Sequence, residues 1–248
     1  MRITKFILAA LVLGIFISSC GEESTTSNVS IKLQMKVGDE ALVHDNTYTI
    51  NDVDVRFTNV AFYLGDMKFE DSEGKNYEAQ SRYQLIKPGI FDFNFEVPSD
   101  QLENELRLTD ISFFVGVDAE TNAESEEDFT ERATDDPLGQ QNPSMHWGWS
   151  TGYKFLNIDG EADIDGDGEY ETTLTYHLGR DQLLKNIALT PDVLLESGDN
   201  EFEINFNMDK FLTGIDFATE NFTKVQPDNV DLANKLFDNY DLTFSFVE

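Results

Sequence analysis

Val29-Ser-Ile-Lys-Leu-Gln-Met35 places Val29, Ile31, Leu33 and Met35 at every second position, with polar residues between them. A period of two is the pattern of a strand with one buried and one wet face, because successive side chains leave the pleat on opposite sides. The same pattern returns in Val53-Asp-Val-Arg-Phe57 and Val60-Ala-Phe-Tyr-Leu64. Further strands are expected over 83–87, 91–97, 106–117, 152–161, 170–178, 201–208 and 241–247. Turn residues close several of them, as at Pro98-Ser99-Asp100 and Ser197-Gly198-Asp199-Asn200. Helical signals are few. Val230, Ala233, Leu236 and Phe237 have helical spacing, and a second short helix is expected after Pro191. Residues 118–144 are polar and irregular, a length of loop that usually carries function or is disordered. The pattern predicts an all-β fold: a single antiparallel β-sandwich domain over residues 29–248 with a few short helices.

The chain has 248 residues, 40% of them hydrophobic and 12% aromatic, enough for a sizeable core. Its 48 Asp and Glu against 17 Lys and Arg give a net charge of −31, which repels nucleic acid and anionic lipid headgroups and attracts cations. Most of these carboxylates read as a solvated coat. Arg2 and Lys5 precede an apolar run from Phe6 to Ile17, followed by Ser18, Ser19 and Cys20. That order describes a secretory signal, too short for a membrane span. Ile17-Ser18-Ser19-Cys20 resembles the lipobox of bacterial lipoproteins, whose cysteine is acylated after cleavage. The expected organisation is a signal peptide over 1–19, a lipid-bearing Cys20, a flexible tether over 20–28, and an outer-membrane location on the periplasmic face or the cell surface. Glu22 and Glu23 are compatible with the surface. Cys20 is the single cysteine, so the mature domain has none for a disulfide.

Two stretches carry chemistry. In Asp163-Ile-Asp165-Gly166-Asp167-Gly168-Glu169-Tyr170-Glu171, carboxylates take alternate positions, with glycines at 166 and 168 that permit a tight turn. Hard cations such as calcium take six to eight oxygens at about 2.3–2.6 Å. The spacing matches the start of an EF-hand loop, but the twelfth position is Leu174 and the flanks read as strands. Asp163, Asp165, Asp167, Glu169 and Glu171 are therefore candidate calcium ligands in a loop between strands, with Glu171 closing the site. The alternative is an acidic hairpin turn.

The second stretch, Met145-His-Trp-Gly-Trp149, gathers both tryptophans and one of the three histidines. Thioether and imidazole suit copper, the thioether especially Cu(I). If 152–161 and 170–178 pair as a hairpin, its open end brings 145–150 near His177, away from the acidic turn. A solvated histidine and a core tryptophan are the ordinary alternatives. His44 lies in a polar loop and reads as a surface residue.

Met145-His-Trp147-Gly-Trp149-Ser-Thr-Gly152-Tyr153-Lys-Phe155, with Glu161 and His177-Leu-Gly179, resembles the MbnP-like family. The likeness extends to Phe113-Phe-Val-Gly-Val-Asp118 with Asn122, and to Val60-Ala-Phe-Tyr-Leu64, so it covers most of 29–247. The resemblance implies a non-catalytic, copper-handling protein of the periplasm or cell surface, associated with methanobactin. It also implies a mononuclear copper site of histidines and a tryptophan oxidised to kynurenine, with a MauG-like di-haem peroxidase as the modifying partner. The candidate ligands are then His146, His177, Met35 and Met145, and the modified position is Trp147 or Trp149. Met35 stands where the family commonly has a histidine in its first strand, and the late histidine of relatives is missing from Val225-Gln-Pro-Asp228. A surface sandwich module binding carbohydrate or peptide through exposed tryptophans is the alternative. No Ser-His-Asp motif, phosphate loop or dinucleotide fingerprint points to an enzyme.

Overall fold

The computed structural model describes residues 26–98, 105–148, 151–227 and 229–247. Its first half comprises β1 (Thr26–Val37), β2 (Glu40–Ala41), β3 (Thr47–Ile50), β4 (Val53–Asp71), β5 (Asn76–Glu78), β6 (Tyr83–Ile86), β7 (Ile90–Pro98) and β8 (Arg107–Val115). Two short helices follow, α1 (Ala119–Asn122) and α2 (Glu126–Glu131), then β9 (His146–Gly148), β10 (Gly152–Asp163) and β11 (Thr172–Gly179). The chain continues through β12 (Lys185–Leu189), β13 (Val193–Leu194), β14 (Asp199–Asn207), α3 (Met208–Phe211), β15 (Phe222–Thr223), α4 (Val230–Thr243) and β16 (Phe244–Val247).

The strands form two sheets. A five-stranded sheet runs β16-β14-β1-β2, with β7 also on β1; an eleven-stranded sheet runs β12-β8-β4-β10-β11-β15, with shorter strands on β4, β8 and β10. Val29, Ile31, Leu33 and Met35 point from β1 into the layer between the sheets, where they meet Phe57, Val60, Phe62 and Leu64 of β4 and Leu156 and Ile158 of β10. Phe62 stacks on Phe206 of β14 at 4.9 Å, and Phe244 sets its edge against Phe206 at 5.3 Å and Phe113 at 5.0 Å. Each such ring buries area worth roughly 1.5–3 kcal/mol, and each aromatic pair adds about 0.5–1.5 kcal/mol.

The large sheet is buried on its other face too. Ala61 and Tyr63 of β4, Phe114 of β8, and Tyr153 and Phe155 of β10 form a second cluster with Leu138 and Met145. The segment 118–145 makes the cover. Asp118 caps α1 by accepting from the Glu120 and Thr121 amides, and Ser125 and Asp128 form a capping box on α2. Arg132 ties Asp136 at 2.8 Å to Glu124, and the Tyr153 hydroxyl donates to the Leu138 carbonyl at 3.0 Å. The polar stretch between β8 and β9 is thus an ordered lid.

Several expectations need correction. The sandwich is not strictly antiparallel: β1 runs parallel to β14, from Asn28↔Asp199 to Lys36↔Asn207, and β11 runs parallel to β15. Alternating apolar residues fix which face a strand buries but carry no information on a neighbour's direction. The stretch after Pro191 is β13, paired with Leu108 and Arg107, and not a helix. The last helix continues to Thr243, so the final strand begins at Phe244. The first strand begins at Thr26, inside the stretch read as tether, and the buried Ser27 accepts a hydrogen bond from the Gly198 amide. Residues 1–19 and Cys20 lie outside the described residues. No helix among the described residues is long and apolar enough to cross a membrane.

The junction of β4 and β10 is tight where the register shifts between Asp159 and Gly160. A Cβ at 160 would lie 2.3 Å from the Arg56 carbonyl oxygen, a main-chain atom that cannot swing aside. Gly160→Ala should therefore cost about 1–3 kcal/mol. Urea unfolding would show it as a lower midpoint at an unchanged slope; an unchanged midpoint would show that the sheet yields here.

Candidate metal centre

The β10–β11 hairpin sets the geometry. Its register runs from Ala162↔Thr172 beside the acidic turn, through Asn157↔His177, to Lys154↔Gly179 at the open end. At about 3.3 Å per residue, the acidic turn and His177 are well over 10 Å apart.

Asp163 organises the turn. It is only 6% exposed, one oxygen accepts from the Gly166 and Asp167 amides at 2.8 and 3.2 Å, and the other accepts from Gly168 at 2.8 Å. Gly166 and Gly168 sit at φ +76° and +93°, conformations that side-chain-bearing residues avoid. One carboxylate oxygen from each of Asp163, Asp165, Asp167 and Glu171 then lies within 4.8 Å of the others. Glu169 is outside this set. Tyr170, beside it, turns outward under the Arg56 guanidinium at 3.6 Å, and its hydroxyl is 2.9 Å from the Thr47 hydroxyl. Four converging carboxylates repel one another, and a hard dication would relieve that repulsion.

At the open end, His177 is buried and its Nε2 lies 2.8 Å from an Asp159 oxygen. A carboxylate only accepts, so Nε2 carries the proton and Nδ1 presents a lone pair. That Nδ1 is buried with no hydrogen-bond partner, as is the Oδ1 of Asn157 directly opposite. Burial pushes the Asp159 carboxyl up, but hydrogen bonds from His177 and Asn59 and the nearby charge of Lys154 hold it below its ordinary value. An imidazole fixed by a carboxylate on one nitrogen and open on the other is the form a metal ligand takes.

The other expected ligands are dispersed. His146 packs against Phe129 at 4.8 Å and Tyr153 at 4.9 Å, and its Nδ1 accepts from the Gly148 amide at 3.1 Å. That bond fixes the tautomer with the proton on Nε2, a structural role in β9. Met145 is buried beside it in the outer cluster, and its carbonyl accepts from the Lys154 amide at 2.8 Å. Met35 is buried in the layer between the sheets, on the opposite face of the large sheet from Met145. It has no place in a site with His146 and Met145. Among the described residues, no three His, Cys, Asp or Glu ligand atoms beyond the acidic-turn set lie within 4.8 Å of one another. Trp147 is half-buried and lies over Gly179, where an added Cβ would be 2.5 Å from the indole Cζ3. It is therefore brought to the His177 end; Trp149 lies outside the described residues. His44 is half-buried rather than on the surface, its Nε2 accepting from the Val60 amide at 3.3 Å beside the β4 bulge.

Sequence reasoning missed Asp159 and a polar cleft beyond Gly179. The first was legible: Asn157, Asp159 and Glu161 alternate along β10 on the face that carries His177. The cleft has a volume of about 510 Å³ and is lined by Asn122, Thr151, Gly152, Arg180, Asp181 and Gln182. Asn122 bridges it, accepting from the Tyr153 amide and donating to Asp181, each at 2.8 Å. Arg180 has φ 75° and ψ 146°, near a region that glycine alone occupies readily, at a cost on the order of 1–3 kcal/mol.

Burial holds the His146 imidazole below its ordinary value of about 6.5. The unfolded chain takes up that proton first, so stability is full above the unfolded value and is lost as pH falls toward the folded one. Melting temperatures recorded from about pH 7.5 down to about pH 5.5 should therefore fall in the parent, and less steeply in His146→Gln. Identical slopes would show that His146 titrates alike in both states.

The family model for MbnP matches residues 26–229, from β1 through the lid and the hairpin to the residue that precedes α4. Among solved structures, MbnP from Methylosinus trichosporium superposes with a TM-score of 0.53 at 12% identity, covering 81% of this chain and 82% of that one. At that identity the likeness establishes the shared fold. Comparison with curated protein sequences gives no match. With the family model spanning four-fifths of the residues and both sheets, the chain belongs to the MbnP family.

Proposed function

We propose that the protein is a non-catalytic, lipid-anchored copper-binding protein of the bacterial outer membrane, with a calcium ion held in the acidic turn. The observation that carries the copper reading is the buried, unpartnered Nδ1 of His177, whose Nε2 is held by Asp159. His177 would hold the ion through that nitrogen, and Trp147, across Gly179, is the neighbouring side chain. Copper bound there would supply a redox-active centre. The family resemblance supports an oxidisable tryptophan at Trp147 or Trp149, of which Trp147 is the one lying over Gly179, and a di-haem peroxidase as the partner that acts on it. The structural role of His146 and the core position of Met35 leave His177 as the anchor. A carbohydrate or peptide module needs tryptophans laid open as a platform, whereas Trp147 is half-buried against Gly179. The net charge of −31 supports a partner that is not nucleic acid.

The calcium reading rests on Asp163, Asp165, Asp167 and Glu171, with Glu169 left out of the ligand set. Anchoring rests on the Ile17-Ser18-Ser19-Cys20 boundary.

Intact mass of the natively expressed protein, with and without chelator, would report acylation, kynurenine, copper and calcium together. Cys20→Ser should release the protein from membranes. In Cu(I) titrations against a competing chelator, His177→Ala should abolish binding, and Asp159→Asn should weaken it by about 10–100-fold. His146→Ala should do less than either. Copper affinity unchanged in His177→Ala would end the copper reading. Saturating calcium at 100 times its Kd should stabilise the parent by about 2.7 kcal/mol, and Asp165→Ala with Asp167→Ala should remove that gain. No stabilisation of the parent would make the stretch a turn only.

A further inference from the structure

Five arginines lie among the described residues, and four of them face carboxylates. Arg56 pairs with Glu161, Arg82 with Asp66 and Asp118, Arg107 with Asp192, and Arg132 with Glu124 and Asp136. Arg180 has no carboxylate within 4.0 Å among the described residues, in a chain where acids outnumber bases 48 to 17. The acid next to it in sequence, Asp181, is taken by the Asn122 amide instead.

Its backbone adds a second, independent observation. At φ 75° and ψ 146°, Arg180 occupies a conformation that suits glycine, although its side chain makes no ion pair that would compensate the strain. Strain of this kind concentrates where a side chain is held for a ligand. The third observation is the place it occupies: Arg180 lines the polar cleft of about 510 Å³ with Asn122, Thr151 and Gln182, a volume within the range of small-molecule sites.

We propose that this cleft binds a small carboxylate, clamped by the Arg180 guanidinium, with the Thr151 hydroxyl and Gln182 amide meeting its polar body. The planar fork of arginine matches a carboxylate through two parallel hydrogen bonds. The surrounding charge sets the upper limit on the ligand. A net charge of −31 and the neighbouring Asp181 oppose a polyanion or an acidic protein face, whereas a ligand with one or two charges reaches Arg180 within a Debye length. A single lining cation favours carboxylate over the denser charge of phosphate. This site does not depend on copper at His177.

Calorimetric titration of the mature protein, stripped of metal by chelator, tests it, with succinate as the probe and inorganic phosphate as the comparison. Succinate should bind saturably and equimolarly at low salt. Arg180→Gln should weaken it by about tenfold or more, the loss expected when a charge-assisted pair is removed. Arg180→Lys should fall between, keeping the charge without the fork. Arg180→Gly should melt at a higher temperature than the parent and bind no succinate, because glycine relieves the strain and removes the clamp. Absence of saturable succinate binding, unchanged binding in Arg180→Gln, or tighter binding of phosphate would overturn the proposal. So would a lower melting temperature in Arg180→Gly, which would make Arg180 part of the fold's own support.

Discussion

Burial of the large sheet on both faces is the constraint from which the rest of the molecule follows. Six consecutive residues of β4, Val60 to Gly65, are buried. Val60, Phe62 and Leu64 belong to the layer between the sheets, and Ala61 and Tyr63 to the outer cluster. A strand wet on one side needs one partner layer; this one needs two. The small sheet supplies the inner layer through Phe206 and Phe244. The lid over 118–145 supplies the outer one, and its exit delivers Met145 and His146 to the edge of β10. The open end of the hairpin is therefore built by the same packing that closes the outer core, which is why His146 is held among rings.

The two ends of the hairpin answer to different physics. The acidic turn is local: one aspartate gathers three amides, two glycines take the conformations the turn needs, and four carboxylates converge with little help from the remainder of the fold. The His177 end is made of distant pieces. Asp159 comes from the neighbouring strand, Trp147 from beyond the lid, and Gly179 is required because the indole and the Tyr153 carbonyl leave no room for a side chain, at 2.5 and 2.6 Å from an added Cβ.

That division explains what could be read from the chain alone. Alternation in Val29–Met35 identified the buried face of β1, and the Asp-Gly spacing identified the turn, because both are short-range patterns. The same alternation could not reveal that β14 lies parallel to β1, nor that Tyr63 faces a second core. The polar composition of 118–144 concealed a lid, since its capping residues and the Arg132 ion pairs are as polar as a disordered stretch would be. Met35 was grouped with His146 through the family pattern, but strand direction and sheet face separate them. Arg180 escaped notice for a simpler reason: an absent partner and an unusual backbone angle leave no mark in sequence.

The pairing of β1 with β14 has a consequence for how the molecule comes into being. Asn28 lies opposite Asp199 and Lys36 opposite Asn207, so the small sheet joins segments about 170 residues apart. Closure over such a span is slow, and it cannot begin until nearly the whole chain has emerged. Until then the edge of the first strand that will take β14 stays open, even though β7 can already cover the other edge, and an open edge invites association with other chains. Lys32 and Lys36 stand on its outward face, where they later meet Glu201 and Glu203 at 2.6 Å. The lysines that stitch the finished sheet are, during that wait, the charges that keep its first strand apart from its neighbours.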